Sequence, residues 1–180
     1  KNVFIFSSTF SLGDDSLQDV DVPEDNIFDT LDEYVLRDIV DEQKLIIHEF
    51  GKSKAPNILI VLDDVLTQLS RKQNSIVREL FFSGRHYKIS VCMLVQSYKG
   101  VTRAMRTNST HSVFFAFDNR KELEVIREEA NADPRIFDVI FADATKEKYS
   151  FLVVNHKQTD RNKRFQKRFS NAYYTLDAHD

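Results

Sequence analysis

Two adjacent carboxylates follow a strand-like run of aliphatic residues. Residues 58–62 are all Ile, Leu or Val, and Asp63 and Asp64 come directly after them. This order is typical of a Walker B motif, in which the first carboxylate reaches the shell of a Mg²⁺ ion and the second orients or deprotonates a water molecule. An aspartate that caps the next helix is the alternative interpretation, and the sequence leaves both open.

Polar residues also follow two other strand-like segments. Gln96 comes after the mostly apolar residues 89–95, and a Ser-Ser-Thr run begins at Ser7, after residues 3–6. Because function gathers at the carboxyl ends of the strands in open parallel sheets, these positions are predicted to share an edge with Asp63. Gln96 suits a sensor of a γ-phosphate, and a hydrogen bond to loop backbone is the alternative.

Strand-like and helix-like segments alternate along the chain. Apolar runs predict strands at residues 3–6, 58–62, 89–95, 113–117 and 149–154. Capping signals and apolar periodicity predict helices between them, with starts near Thr30, Asn119 and Asp133-Pro134 and with Gly51 as a stop. Because several runs are apolar on every residue, we predict an α/β fold with a parallel sheet, as one domain over residues 1–180.

Composition and charge bound the class of protein. Of the 180 residues, 42% are hydrophobic and 29% charged, which excludes a disordered tail, and no run approaches the ~20 apolar residues of a membrane span. The single cysteine, Cys92, excludes a disulfide framework. Residues 1–50 hold 3 basic and 13 acidic side chains and have a net charge of −10, whereas residues 51–180 have a net charge of +7. Residues 51–180 could therefore bind a polyanionic partner, and a surface of mixed, solvated charges is the alternative.

Four motifs occur in a fixed order between residues 56 and 118. They are the Ile58–Val65 run with both acids, Leu80–His86 with Gly84-Arg85-His86, Val91–Gln96 with Tyr98, and Asn108–His111 before Phe114–Phe117. This combination resembles the genome-packaging ATPases of poxviruses and related large DNA viruses, which belong to the FtsK–HerA superfamily of DNA-pumping motors. The resemblance covers most of the chain and implies a three-layer, RecA-like P-loop NTPase fold with a mostly parallel sheet.

One part of the family pattern is missing. The family needs a G-x-x-x-x-G-K-[ST] loop (Walker A), whose backbone amides cradle phosphates, and no such motif occurs here. Gly51-Lys52-Ser53 lacks the upstream glycine and is interpreted as a surface turn. An N-terminally truncated sequence is the simplest explanation. The family's first strand lies between the strand before Gln96 and the strand at 113–117, so we expect a gap there with exposed apolar side chains.

The resemblance implies roles for the polar residues. Asp63 would bind Mg²⁺ and the ATP that the ion accompanies, Asp64 would position the hydrolytic water, and Gln96 would sense the γ-phosphate. Many relatives in the wider superfamily have Glu where this chain has Asp64, so its role as a base is the least secure of the three. Without a phosphate loop, the chain as given is expected not to hydrolyse ATP.

The resemblance also assigns an arginine to a neighbouring subunit's nucleotide. Arg85 would act there as an arginine finger, because a planar guanidinium neutralises charge on phosphoryl oxygens. Arg103 and Arg106 are rival candidates, and a solvated or helix-capping role is the alternative for any of them.

A basic segment lies near the end of the chain. Residues 157–168 hold six basic side chains and one acid, with Phe165 interleaved. We predict contacts with double-stranded DNA phosphates from Lys163, Arg164, Lys167 and Arg168. Such contacts would be independent of base sequence and sensitive to salt. A solvated surface strand is the alternative.

Together these implications describe a motor. The complete protein would form a homo-oligomeric ring that couples Mg²⁺-dependent ATP hydrolysis to packaging of a viral genome. It would work in the host cytoplasm or virus factory, or in association with the virion. A catalytically degenerate nucleotide-fold module for binding or assembly is the alternative. A Rossmann-like enzyme, in which Asp63 binds a ribose or a sulfonium cofactor, would need a glycine-rich loop that four scattered glycines do not supply.

Overall fold

The computed structural model describes residues 2–10, 20–69, 73–160 and 163–173. Its strands are β1 (Val3–Ser7), β2 (Ile27–Phe28), β3 (Ile58–Asp63), β4 (Ile89–Leu94), β5 (His111–Phe115), β6 (Phe151–Asn155), β7 (Phe165–Lys167) and β8 (Asn171–Ala172). Its helices are α1 (Glu33–Phe50), α2 (Gln73–Ser83), α3 (Arg103–Asn108), α4 (Arg120–Ala130) and α5 (Pro134–Ala144). The chain divides into two compact units, Lys1–Met105 and Arg106–Asp180.

The first unit contains a four-stranded parallel sheet. Its strand order is β2-β1-β3-β4, and every neighbouring pair runs parallel. The aliphatic run of β3 places Ile60 and Leu62 in the core, where both are fully buried. On the neighbouring strand, Phe6 is fully buried as well and its ring stacks on Phe28 at 4.8 Å. The predicted α/β fold with a parallel sheet is confirmed.

Helix α1 packs against this core through one apolar face. Leu36 and Val40 are buried in the same cluster as the strand side chains. The helix begins later than Thr30 predicts, because Asp32 is the N-cap and its carboxylate accepts a hydrogen bond from a backbone amide. It ends at Gly51 as predicted, where φ is 82°, a conformation that favours glycine.

A tight turn precedes β4 and carries the predicted finger arginine. The turn is a 3₁₀ helix over Gly84–Tyr87. The buried Gln43 side chain donates to the carbonyls of Pro56 and Tyr87, at 2.8 Å each. A Cβ atom on Gly84 would lie 3.0 Å from the Ile89 carbonyl oxygen, so a larger residue would push the turn away from the strand.

The second unit contains an antiparallel sheet with strand order β5-β6-β7-β8. Among the described strands, the parallel arrangement is therefore confined to the first unit. In β5 and β6, Val113 lies opposite Val153 in an antiparallel ladder. Two successive helices, α4 and α5, connect β5 to β6. They return the chain to the edge of the sheet at which β5 ended, so β6 runs in the opposite direction. A single crossover helix would have given parallel strands.

The caps of the second unit's helices agree with the sequence. Asn119 accepts from the backbone amide of Lys121 at 3.1 Å, and Asp133 accepts from that of Arg135 at 2.8 Å. Pro134 is the first residue of α5, where its missing amide hydrogen costs nothing. Among the described residues, no helix is long and apolar enough to cross a membrane.

Strands β4 and β5 are each the last strand of their own sheet. Among the described strands they do not pair with each other. They expose large apolar side chains, namely Leu94 at 48%, Val113 at 41% and Phe115 at 53%.

Candidate functional site

Three polar strand ends meet at the carboxyl edge of the parallel sheet. The register of β1 and β3 places Ser7 opposite Asp63, and Asp63 in turn lies opposite Leu94 at the end of β4. Beyond β4, the side-chain amide of Gln96 donates to Asp64 Oδ2 at 3.4 Å. The structure thus brings Asp63, Asp64 and Gln96 together, as the rule for parallel sheets predicts.

The carboxylate of Asp63 is held by a hydroxyl from the adjacent strand. Ser7 Oγ donates to Asp63 Oδ2 at 2.8 Å, and Ser7 is fully buried. The sequence predicts the edge to which Ser7 belongs but assigns Ser7 no role. The only signal was a hydroxyl residue directly after an apolar run, on a strand that proves to be the immediate neighbour of β3.

Asp64 sits in a turn with unusual backbone geometry. Its φ is 50°, in the left-handed region, where aspartate is enriched among residues other than glycine. Ser8 Oγ donates to the Asp64 carbonyl at 3.0 Å, and the Asp64 amide donates to the Leu94 carbonyl at 3.3 Å. This conformation suits the short aspartate side chain.

These contacts bear on the alternatives left open by the sequence. The 3₁₀ turn that follows β3 has no side-chain cap, so neither aspartate caps it. Among the described residues, Asp63 and Asp64 accept side-chain hydrogen bonds only from a hydroxyl and an amide, and they form no salt bridge. The partner of the Gln96 amide is the Asp64 carboxylate and not loop backbone.

The donor set fits one kind of cation. Within the described part of the chain, no group of three or more His, Cys, Asp or Glu side chains could hold a metal ion. Two carboxylates beside a hydroxyl are hard oxygen donors, and Mg²⁺ is commonly bound through one or two carboxylates together with substrate phosphates and water. Asp63 and Asp64 therefore suit Mg²⁺ that arrives with a nucleotide.

Arg85 lies at the other edge of the parallel sheet. It is exposed in the turn before β4, whereas Gln96 follows the carboxyl end of the same strand. Six residues of strand span roughly 20 Å. The structure therefore does not bring Arg85 to the carboxylates of its own chain.

The rival arginines differ in their surroundings. The Arg106 side chain is only 10% exposed, and its guanidinium binds Glu129 with nitrogen–oxygen distances of 2.7–3.0 Å. A guanidinium committed to such a bidentate pair is poorly suited to contact a phosphate. Arg103, at the start of α3, is exposed.

The predicted DNA-binding residues are partly neutralised by acids of α5 and its C-terminal end. Lys167, 18% exposed, lies 3.6 Å from Asp143 and 3.2 Å from Glu147. Arg168 also binds Glu147, at 3.1 Å. The other two predicted residues are Lys163, which lies 3.7 Å from Asp160, and Arg164, which is half-buried; Arg161 lies outside the described residues.

A half-buried histidine in the second unit was not predicted from the sequence. His156 Nε2 lies 2.9 Å from Ser112 Oγ. Burial, followed by the positive charge of Arg164, lowers the pKa of His156 to about 4, so the imidazole is neutral at pH 7. The position just after β6 was its only signal in the sequence.

Two solved structures of viral packaging proteins are similar to this chain. The DNA-packaging ATPase B204 of Sulfolobus turreted icosahedral virus is 14% identical, with a TM-score of 0.56, over 85% of this chain and 76% of that one. The genome packaging NTPase B204 of Sulfolobus turreted icosahedral virus 2, in complex with AMPPCP, is 14% identical, with a TM-score of 0.48, over 72% of this chain. The chain spans 60% of that second protein. The likeness to the first confirms the RecA-like fold.

Sequence comparison gives the family. No curated protein matches the chain. The family described as Poxvirus A32 protein matches residues 21–166, which include both aspartates, Gln96, Arg85 and most of both units. This protein therefore belongs to the Poxvirus A32 protein family.

Proposed function

We propose that this chain is part of an ATP-driven motor that moves double-stranded DNA into a viral capsid. The observation that carries the proposal is the meeting of Asp63, Asp64 and Gln96 at one edge of a parallel sheet. Membership of the poxvirus family and the fold shared with a DNA-packaging ATPase support it. Such a motor would work in the host cytoplasm or virus factory, or with the virion.

Each residue at this edge has a role in the proposed reaction. Asp63 would hold Mg²⁺, which when bound neutralises charge on the phosphate oxygens of ATP. Asp64 would orient the attacking water and accept its proton. Gln96, already hydrogen-bonded to Asp64, would exchange that bond for one to the γ-phosphate, so that loss of the phosphate changes the position of the segment after β4.

The site also needs groups that these residues do not supply. Two carboxylates repel a triphosphate unless amides and a lysine offset their charge, and the 180 residues contain no G-x-x-x-x-G-K-[ST] motif. We propose that this loop comes from another part of the protein and that its strand pairs with the open side of β4. The position of β4 at the end of the strand order, among the described strands, supports this placement.

Assembly into a ring would complete the site. Arg85 is exposed on a turn that Gln43 and Gly84 hold against the sheet, at the edge opposite the carboxylates. A rigid, exposed arginine at that edge suits donation to the nucleotide of a neighbouring copy of the chain. The basic segment around Lys163 and Arg168 would then contact DNA.

The test is to remove one charge at the site in the full-length protein. Asp63→Asn should reduce Mg²⁺-dependent ATP turnover by at least about a hundredfold, because a metal ligand that contributes several kcal/mol to charge stabilisation is removed. Turnover is measured by phosphate release, and folding by circular dichroism and the melting temperature.

Asp38→Asn is the matched control. Asp38 is exposed on α1, away from the strand ends, so the same change of charge should leave turnover unaltered. Unchanged turnover in folded Asp63→Asn protein would contradict the assignment of Asp63. A wild-type protein that binds its partners but never hydrolyses ATP would favour the binding or assembly module instead.

A further inference from the structure

We propose that Ser7 is a positioning residue that fixes the Asp63 carboxylate for binding of Mg²⁺. The inference rests on the proposed function and assigns a role to a residue that neither the family motifs nor the Walker B pattern includes. It starts from the hydroxyl–carboxylate contact between β1 and β3.

The direction of the hydrogen bonds follows from the chemistry of the groups. A hydroxyl has a single proton, and Ser7 gives it to Asp63 Oδ2 at 2.8 Å. Thr9 Oγ1 lies 3.1 Å from Ser7 Oγ. Since the Ser7 proton is already engaged, Thr9 is the donor at that contact. The bonds therefore run in one direction, from Thr9 through Ser7 to Asp63.

This chain of bonds restricts a torsion that is otherwise loose. The terminal torsion of an aspartate side chain has a broad distribution of angles. A buried donor on Oδ2 fixes the plane of the carboxylate and leaves Oδ1 for a ligand. Mg²⁺ demands nearly ideal octahedral geometry, so a carboxylate that is free to rotate binds it less well. Partners that orient a metal ligand typically affect metal affinity by about 10–100-fold.

Burial makes the Ser7 contact persistent. Ser7 is 0% exposed and lies directly opposite Asp63 in the strand register, so water does not compete for its hydroxyl. The donor therefore stays in place whether or not a nucleotide is bound. The carboxylate is oriented in advance of binding.

The neighbouring serine provides a matched control. Ser8 lies at the same strand end, but its hydroxyl donates to the backbone carbonyl of Asp64 at 3.0 Å and its amide to that of Asp63 at 3.4 Å. Loss of the Ser8 hydroxyl removes one hydrogen bond from this edge without touching either carboxylate. A Ser8→Ala variant therefore distinguishes a general loosening of this edge from a loss of orientation of the Asp63 carboxylate.

The experiment measures Mg²⁺ binding without catalysis. In the full-length protein with saturating AMPPCP, thermal stabilisation is followed as Mg²⁺ is added, and its midpoint concentration is determined. Ser7→Ala should raise the midpoint by about 10–100-fold. Ser7→Thr keeps the hydroxyl and should restore a midpoint near that of wild type, whereas Ser8→Ala should leave it unchanged.

Each outcome decides the matter. A melting temperature lowered by Ser7→Ala with an unchanged Mg²⁺ midpoint would overturn the positioning role. Should Ser7→Ala fail to fold, Ser7→Cys has a similar size and only a weak donor, and it must show the raised midpoint. If the wild type gains no stability from Mg²⁺ and AMPPCP, the proposed function itself fails. If Mg²⁺ and AMPPCP stabilise the wild type and the midpoint of Ser7→Ala is unchanged, only the inference about Ser7 is overturned.

Discussion

The two units treat their polar residues differently. In the first unit, parallel strands bring Ser7, Asp63 and the segment leading to Gln96 to a single edge, where the carboxylates meet neutral donors. In the second, strands alternate in direction and charged side chains bind one another, as Arg106 does with Glu129. Strand direction therefore decides whether polar groups collect into a site or spread over two edges.

The contrast separates two kinds of charge. Asp63 and Asp64 have no cationic partner among the described residues, and such a site gains from a bound cation. The ion pairs of the second unit are complete within the chain and chiefly stabilise it. Removing the charge of Asp63 or Asp64 should accordingly affect turnover, whereas breaking a buried ion pair of the second unit should affect stability.

The largest expected effect concerns the two edges of the parallel sheet. Arg85→Ala should reduce turnover by about 10³–10⁵-fold, because an arginine finger stabilises the transition state by that amount. Asp63→Asn should also be inactive alone. Mixed together, the two variants should regain part of the turnover, since some interfaces then pair an intact finger with an intact pair of aspartates.

Phosphate release from mixed rings is the measurement, with ring formation checked by size-exclusion chromatography. A mixture that forms rings and stays as inactive as its components would show that Arg85 does not act across subunits. Activity of Arg85→Ala near wild type would remove the finger assignment altogether.

A smaller effect concerns stability in the second unit. Arg106→Ala should lower the free energy of unfolding by about 3 kcal/mol, because a largely buried ion pair would lose its cation. Arg127 binds Asp138 at 2.6 Å, but both side chains are more exposed, so Arg127→Ala should cost about 1 kcal/mol or less. Urea denaturation measures both. Equal losses would mean that burial does not distinguish the pairs.

The pH dependence of stability should also be a property of the second unit. His156 has a pKa of about 4 in the folded protein, below the ordinary 6.5, so the unfolded chain takes up its proton first. The unfolding free energy should therefore fall as the pH drops from 6.5 towards 4, by about 1–2 kcal/mol once partial exposure is allowed for. His156→Gln should flatten this slope, and the exposed His86→Gln should not. A slope unaltered in His156→Gln would contradict the assignment.

The smallest expected effect concerns DNA. The variant neutralises four side chains together, those of Lys163, Arg164, Lys167 and Arg168. The slope of log DNA affinity against log salt concentration should become shallower, by about 0.9 for each phosphate that the protein no longer neutralises. Since Lys167 and Arg168 already bind acids in the chain, we expect this number of phosphates to be smaller than four. Fluorescence anisotropy at several salt concentrations measures the slope. An unchanged slope would place the DNA-binding surface elsewhere, with Lys99, Arg103 and Arg106 as the next candidates.

Local signals in the sequence were sufficient for much of the fold and for the location of the site. The aliphatic run before Asp63 predicted a buried strand, and polar residues after three such runs predicted the shared edge. Both predictions depend on neighbouring residues and on a general property of parallel sheets. The caps at Asn119 and Asp133 are local too, since each bonds to amides within three residues.

Interactions between distant residues could not be predicted in this way. The donor to Asp63 is 56 residues away in the chain, and the acids that bind Lys167 lie on and just after another helix. Strand direction in the second unit depends on how many helices connect β5 and β6, and the alternating pattern does not encode how the strands pair. The role proposed for Arg85 requires a neighbouring subunit, so no contact within one chain could reveal it.

The open side of β4 has a consequence for handling the protein. An edge strand presents unpaired backbone donors and acceptors, and these can pair with a strand of any other chain. On β4, Ser90, Cys92 and Leu94 are exposed, and no charged side chain in the strand discourages such pairing. At high protein concentration this strand is therefore a starting point for intermolecular sheets, and dilute, cool conditions during purification should keep these 180 residues from precipitating.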